Sequence, residues 1–256
     1  MKKDKFLNTD IVDFHSHILP FVDDGSKSFE QTTEMLCETS NQGIKSIVAT
    51  PHFYASSDIP EKFFKRREAA LTKLLDIYNS FSSIPDIYIG AEVAYFPGMG
   101  NSSITKDLCI VGTDKILVEM PFDTWNDSVI EDIILLRDKE GLFPIIAHIE
   151  RYIKYQEKGI IEFFRDNGIL IQSNAEFFVN RRTRKKALNM LCDGKINLIG
   201  SDCHNTSTRK QNIGEAINII SEAFGDEAIE DLESLSFSVL RNAVSLKNYQ
   251  FANKQN

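Results

Sequence analysis

Seven short apolar runs recur along this chain, and stretches of helical period separate them; that alternation constrains the fold more than any other feature. The runs are Ile11–Phe14, Ser46–Thr50, Ile87–Val93, Lys115–Met120, Phe143–Ala147, Gly168–Ile171 and Ile196–Gly200. Each is four to seven residues long and most are rich in Ile, Val and Leu, as strands covered on both faces require. A helix stop precedes four of them: Asn41-Gln42-Gly43-Ile44, Lys139-Glu140-Gly141-Leu142, Asp166-Asn167-Gly168-Ile169 and Cys192-Asp193-Gly194-Lys195-Ile196. Glycine ends a helix at little conformational cost, so these read as repeated helix-to-strand turns.

The segments between the runs supply the helices. Ser28-Phe29-Glu30-Gln31 has the pattern of a capping box. Glu61–Phe81 is amphipathic, with Phe64, Ala70, Leu71, Leu74, Leu75 and Tyr78 expected inward. Asn126 or Asp127 is placed to cap a helix through Ile130, Ile133, Ile134 and Leu136, and Thr183–Cys192 and Gly214–Phe224 complete the set. Strand–helix alternation with short connections means a parallel sheet in an α/β fold, and a closed or nearly closed barrel accounts for seven strands better than two separate sheets. No Pro-, Gly- or Ser-rich linker divides the 256 residues, so residues 1–256 are expected to form one domain.

Composition narrows the function. The net charge is −8, from 29 Lys+Arg and 37 Asp+Glu, which leaves no cationic excess for general nucleic-acid binding. No apolar run approaches a membrane span, so no membrane insertion is expected. The charged start Met1-Lys2-Lys3-Asp4-Lys5 lacks the apolar stretch of a signal peptide. Cys37, Cys109, Cys192 and Cys203 show no framework spacing, which suggests reduced thiols and a cytoplasmic location.

Reactive residues stand at the ends of the apolar runs: His15 and His17 after the first, His52 after the second, Glu92 in the third, Glu119 in the fourth, His148 after the fifth, Gln172 and Asn174 after the sixth, and Asp202 and His204 after the seventh. All five histidines of the chain lie at such positions. The carboxyl ends of parallel barrel strands share one face, so these residues would converge. His15 and His17, two apart on an extended strand, point the same way. Nine candidate ligands result: His15, His17, Asp24, His52, Glu92, Glu119, His148, Asp202 and His204. Nitrogen and oxygen donors without thiolate suit Mn²⁺, Fe²⁺ or Zn²⁺, and nine donors imply two or three clustered ions, the apparatus of phosphoester hydrolysis.

The motifs His15-Ser16-His17-Ile18-Leu19-Pro20, Asp23-Asp24-Gly25, Thr50-Pro51-His52, Gly90-Ala91-Glu92-Val93, Ala147-His148-x-Glu150-Arg151-Tyr152 and Ser201-Asp202-x-His204-Asn205 resemble the polymerase-and-histidinol-phosphatase (PHP) superfamily. Within it, the Asp-Asp-Gly and Glu-Arg-Tyr elements are similar to the bacterial capsule-associated tyrosine phosphatases. The resemblance implies a distorted seven-stranded (β/α) TIM-like barrel with a three-metal site, often manganese. It implies one ion on His15, His17, Glu92 and Asp202, a second on Glu92, Glu119 and His148, and a third on Asp24, His52 and His204. Arg151 and Arg209 match basic residues near the phosphate, where a guanidinium fork fits the oxygens. A metal-activated water would attack, and the implied substrate is a phosphotyrosine protein of capsular or exopolysaccharide synthesis, such as the tyrosine-rich tail of a polysaccharide-export kinase. Histidinol phosphate, or another small phosphomonoester, is the alternative substrate. Two departures bear on the pocket: Ile149 replaces a usual proline, and Phe21 stands where glycine is common. Cys203 also replaces a usual small residue.

Several features have competing readings. Cys203 to Arg209 fits the Cys-x₅-Arg spacing of thiolate phosphatases, but no glycine lies between them to let backbone amides close on a phosphate. A catalytically idle scaffold would have no use for nine converging donors. Trp125, the sole tryptophan, is expected to cover the barrel rim in preference to meeting a substrate ring. Gln172 and Asn174 either bond a metal-bound water or cap the sixth strand. The run Arg181-Arg182-Thr183-Arg184-Lys185-Lys186 reads first as a solvated helix start and second as a docking patch for an acidic phosphopeptide.

Overall fold

A computed structural model describes residues 9–253, apart from 79 and 81–83. The charged start at residues 1–5 and the end of the expected helix at Phe81 lie outside the described residues. The strands are β1 (Thr9–Ser16), β2 (Ile44–Ala49), β3 (His52–Phe53), β4 (Asp86–Ile89), β5 (Glu92–Ala94), β6 (Lys115–Glu119), β7 (Phe143–Ile146), β8 (Leu170–Asn174) and β9 (Leu198–Gly200). Helices alternate with them: α1 (Phe29–Asn41), α2 (Pro60–Tyr78), α3 (Ile104–Asp107), α4 (Asp127–Asp138), α5 (Ile160–Asp166), α6 (Ala175–Val179), α7 (Arg184–Cys192), α8 (Ile213–Phe224), α9 (Asp226–Val239) and α10 (Leu246–Asn253).

The seven apolar runs all fall on strands, and every pairing between these strands is parallel. Two strand paths are interrupted. The second run ends with β2, and beyond Thr50-Pro51, where proline has no N–H to give the ladder, a short β3 follows; the third run splits into β4 and β5 at Gly90-Ala91. The breaks divide the wall into a sheet ordered β1-β2-β4 and another ordered β3-β5-β6-β7-β8-β9. Between β4 and β6 the segment Ile110-Val111 intervenes, with Val111 N donating to Ile89 O (2.8 Å) and Ile110 N to Lys115 O (2.8 Å). The last strand returns to the first: Ser16 bridges Cys203, and Asp202 N donates to His15 O (2.7 Å). The result is a distorted (β/α) barrel of seven strand paths.

Local signals act as expected. Gly43, Gly141, Gly168 and Gly194 all have positive φ, ending the helices before β2, β7, β8 and β9. Ser28 accepts from Gln31 N (3.2 Å) at the start of α1, and Asn126 accepts from Val129 N (3.1 Å) at the start of α4. On α2 the buried phenylalanine is Phe63 and Phe64 is only half-buried, a correction of one position to the expected inward face, whereas Ala70, Leu71, Leu74, Leu75 and Tyr78 are buried as expected. Two apolar groups stabilise the barrel. Outward-facing strand residues such as Ile47, Ile89, Val118 and Ile171 pack under the helices, while Val12, Phe14, Val48, Leu117, Ile145 and Leu198 form a separate cluster with Val239 and Leu240 at the end of α9. The opposite, carboxyl end of the strands is polar.

Candidate metal centre

Eight of the nine candidate ligands stand at the carboxyl ends of strands or just beyond, and Asp24 enters from the loop after β1. Their atoms converge on Glu92, which is fully buried. Glu92 Oε2 lies 3.0 Å from His15 Nε2, 3.2 Å from His17 Nε2 and 3.0 Å from His52 Nδ1, and Oε1 lies 2.8 Å from His148 Nε2. The same-face placement of His15 and His17 brings their Nε2 atoms to 3.0 Å. Asp24 Oδ1 reaches His204 Nε2 (3.3 Å) and His52 Nε2 (3.6 Å), and Glu119 Oε1 is 3.7 Å from His148 Nε2. All nine residues therefore fall into groups able to hold a cation: His17, Asp24, His52 and His204; His15, His17 and Asp202; His15, Glu92 and His148; and His52, Glu92 and Glu119. His17 joins the group expected from Asp24, His52 and His204, and His15 joins Glu92 and His148, so imidazoles as well as Glu92 are shared between groups.

The donor set fits cations. Among the described residues, buried His52 Nδ1, Glu92 Oε2 and His204 Nε2 have no hydrogen-bond partner, although other ligand atoms lie within 3.0–3.3 Å of each. Lone pairs that converge on shared space without proper hydrogen bonds would be costly unless a cation met them. Electrostatics prepare part of the same state. Against the effect of burial, the carboxylates Glu92 and Asp202 hold His15 and His17 above the ordinary imidazole range, so a cation would have to displace their protons. Other donors are already set. Burial holds His148 down to about 4, so its imidazole stays neutral and able to coordinate. Burial and the neighbouring His17 hold His204 down to about 4. Burial would raise Glu92, but His15 and His148 hold it well below the ordinary carboxylate range. Glu119 is pushed up by burial and by the adjacent charge of Glu92.

An outer set of side chains fixes these groups. Asp23 accepts from His17 Nδ1 (2.7 Å) and from the backbone N–H groups of His52 (2.9 Å) and Gly25 (2.9 Å). Gln172 Oε1 accepts from His148 N (2.7 Å) and lies 3.3 Å from His15 Nδ1, while Asn174 Nδ2 donates to Asp202 Oδ2 (2.9 Å). Fully buried Asp13 accepts from Ser201 N, Ser201 Oγ and Gln211 Nε2, which ties the first strand to the loop carrying Asp202. Such partners set the orientation and basicity of imidazole ligands. Asp13 and Asp23 were not among the sequence-derived candidates; Asp23 shares a turn with Asp24, and sequence alone does not say which of two adjacent carboxylates turns inward. A Cβ on Gly25 would lie 2.2 Å from His17 O, so only glycine admits this close loop. Among the described residues, His148 (φ 31°), Asp202 (φ 54°) and Phe21 (φ 65°) are the non-glycine residues in left-handed backbone.

Arg151 and Arg209 converge on Asp202: Arg209 Nη2 lies 2.7 Å from Oδ1, and Arg151 Nη2 pairs with Oδ2. Their side chains are about one-third exposed, at 33% and 39%. A cavity of about 380 Å³ opens beside them, lined by Glu150, Asn174, Phe177 and Asn212 among others.

Residues 11–238 match the family described as "Capsular polysaccharide synthesis, CpsB/CapC". The chain belongs to the CpsB/CapC family. It is 29% identical over 259 aligned residues to tyrosine-protein phosphatase CpsB of Streptococcus agalactiae, covering 93% of this chain and 99% of that one. Tyrosine-protein phosphatase YwqE of Bacillus subtilis is 28% identical over 245 residues, covering 91% and 92%. Crystal structures of YwqE from Bacillus subtilis and CpsB from Streptococcus pneumoniae, described as unique metal-dependent tyrosine phosphatases, include a match with TM-score 0.80 and 25% identity, over 91% of this chain and 96% of the other.

Within this CpsB/CapC frame the structure bears on several of the competing features. Cys203 is fully buried and burial pushes its thiol well up, which removes the thiolate that the Cys-x₅-Arg reading needs. Trp125 is buried against Tyr152 and Phe164, with Nε1 donating to Pro121 O (3.0 Å), so it packs the rim as expected. Gln172 and Asn174 hold candidate ligands directly. Arg184 turns back to Phe178 O (3.1 Å) and Val179 O (2.9 Å), tying α6 to α7. No helix among the described residues is long and apolar enough to cross a membrane.

Proposed function

We propose that this chain is a metal-dependent phosphomonoester hydrolase that removes phosphate from tyrosine in a protein of capsular or exopolysaccharide synthesis. The observation that carries this reading is the burial of Glu92 among four imidazoles, with Arg151 and Arg209 gathered at the rim of the same cluster. His15, His17, Asp24, His52, Glu92, Glu119, His148, Asp202 and His204 would hold two or three divalent ions, with Mn²⁺ the best candidate for a nitrogen–oxygen set and Fe²⁺ or Zn²⁺ next. Bound ions would supply Lewis acidity to the phosphoryl oxygens and lower the pKa of an attacking water.

The chain's own residues do the rest. Gln172, Asn174 and Asp23 keep the ligands in one geometry, so that little reorganisation accompanies the reaction. Arg151 and Arg209 present guanidinium groups to the phosphate oxygens and orient the ester. The oxygen of water would form the new P–O bond as the bond to the aryl oxygen breaks, the phenolate leaving with a proton taken from water. Cys203, buried and protonated, would not be the nucleophile. The names of the relatives support the tyrosine substrate. The tail of a polysaccharide-export kinase is the substrate we favour, the cytoplasm is the location, and the whole chain acts as one domain. Rates on a phosphotyrosine peptide and on histidinol phosphate, measured with Mn²⁺, test the substrate. The peptide is expected to be turned over with the higher kcat/KM; a preference for histidinol phosphate would assign the chain to small-molecule metabolism.

A further inference from the structure

Three exposed aromatic side chains stand on three loops that also carry candidate ligands. Phe21 is 63% exposed and sits between His17 and Asp24; Tyr54 is 38% exposed, two residues past His52; Phe122 is 53% exposed, three residues past Glu119. Two of them lie directly against the cluster. The Tyr54 ring stacks on His52 at 5.0 Å, and the Phe122 ring stacks on His148 at 6.4 Å. Phe21 lies in the same turn as the candidate ligand Asp24 and its outer neighbour Asp23, and this turn is closed against His17 by Ser26 N donating to His17 O (3.0 Å), with Phe21 N donating to Ser26 O (3.1 Å). Its φ of 65° is unfavourable for a bulky side chain, and its exposed ring has one edge-on ring contact, to Phe29 at 6.1 Å, that leaves most of its face open.

We propose that Phe21, Tyr54 and Phe122 form an aromatic rim that selects aryl over alkyl phosphate esters by packing on the ring of the leaving group. The inference rests on the phosphatase reading above and adds the residues that set substrate class. A phosphate held by the cluster and the arginines leaves its ester group pointing outward, where flat apolar faces meet a phenyl ring better than a flexible chain. Stacked and edge-on ring pairs each supply roughly a 3- to 10-fold preference. These are specificity residues and take no part in the chemical step.

The test compares two non-hydrolysable ligands, benzylphosphonate and butylphosphonate, by calorimetric binding to the manganese-loaded full chain. Hydrolysis of phenyl phosphate and butyl phosphate is measured in parallel. Phe21→Gly is the central variant, because glycine suits the left-handed backbone and the chain keeps its fold; Phe122→Ala is the second, and Phe237→Ala, exposed on α9, is the control. The expected result is an aryl-over-alkyl preference in the unmodified chain that falls roughly 3- to 10-fold in each rim variant and persists in Phe237→Ala. A preference that survives in both rim variants, or no aryl preference in a chain that hydrolyses both esters, overturns the rim while leaving the phosphatase reading intact. Failure to bind either phosphonate and to hydrolyse either ester overturns the phosphatase reading itself, and the rim with it.

Discussion

The two ends of the barrel interior use the same strands for opposite purposes. At the closed end, Val12, Phe14, Val48, Leu117, Ile145 and Leu198 meet Val239 and Leu240 in a dry apolar layer. At the carboxyl end, a few residues further along the same strands, the side chains are His15, His17, Glu92, Glu119, His148 and Asp202. The first layer contributes burial energy; the second desolvates charged and polar groups and leaves some of their atoms unpartnered. The difference shows that the barrel's stability is concentrated away from its chemistry, so the mouth can hold an arrangement that is unfavourable without cations. Perturbing each end separately sharpens or breaks that division.

The largest effect is expected from Glu92→Gln, which keeps the volume and removes the charge at the centre of the cluster. Its kcat/KM should fall about a thousandfold, the upper range for losing one preorganised electrostatic element, and bound metal should fall with it. Near-normal turnover would place the reactive centre elsewhere. Next is Asp23→Asn, which alters the partner of His17 Nδ1 while sparing every candidate ligand. Activity at low metal should drop about 10- to 100-fold and recover as Mn²⁺ is raised, because an outer partner acts through affinity. A loss that excess metal leaves unchanged would mean that Asp23 serves only the fold.

The closed end should respond in the reverse manner. Leu117→Ala should destabilise the chain by about 2–5 kcal/mol in urea unfolding, while metal content and kcat per folded molecule stay near those of the unmodified chain. Loss of metal from a still-folded variant would show that the two layers are coupled. The smallest effect belongs to Cys203→Ala, at the carboxyl end between Asp202 and His204 but fully buried; its kcat should remain within about twofold, because a buried, protonated thiol is no nucleophile. Abolished activity in a folded Cys203→Ala variant would restore the thiolate mechanism.

Much of this division is legible in the sequence, for definite reasons. Both-face burial makes each strand a short Ile/Val/Leu run, and glycine marks the helix stops, as at Gly43 and Gly168. The histidines stand out because each follows such a run. Less is legible where tertiary contact decides. The short β3 after Thr50-Pro51 and the break of the third run at Gly90-Ala91 are not visible in the pattern, because they depend on how the two sheets part around Ile110-Val111. The partition of donors among ions is similar: His17 lies between two groups because the Asp23-Asp24-Gly25 turn folds back over it, a contact set by the absence of a Cβ at Gly25. Phe63 and Phe64 show the same limit on a helix, where neighbours of equal hydrophobicity exchange roles with a small rotation of the face.

The central claim is that the polar end of the barrel is a metal-dependent phosphatase centre. The most direct test is metal analysis of the chain purified without chelators, followed by phosphotyrosine-peptide hydrolysis before and after EDTA treatment and after Mn²⁺ is restored. Two to three divalent ions per chain, activity lost with their removal and regained on reloading, is the predicted result. Less than one ion per chain, with hydrolysis that EDTA leaves untouched, would contradict it.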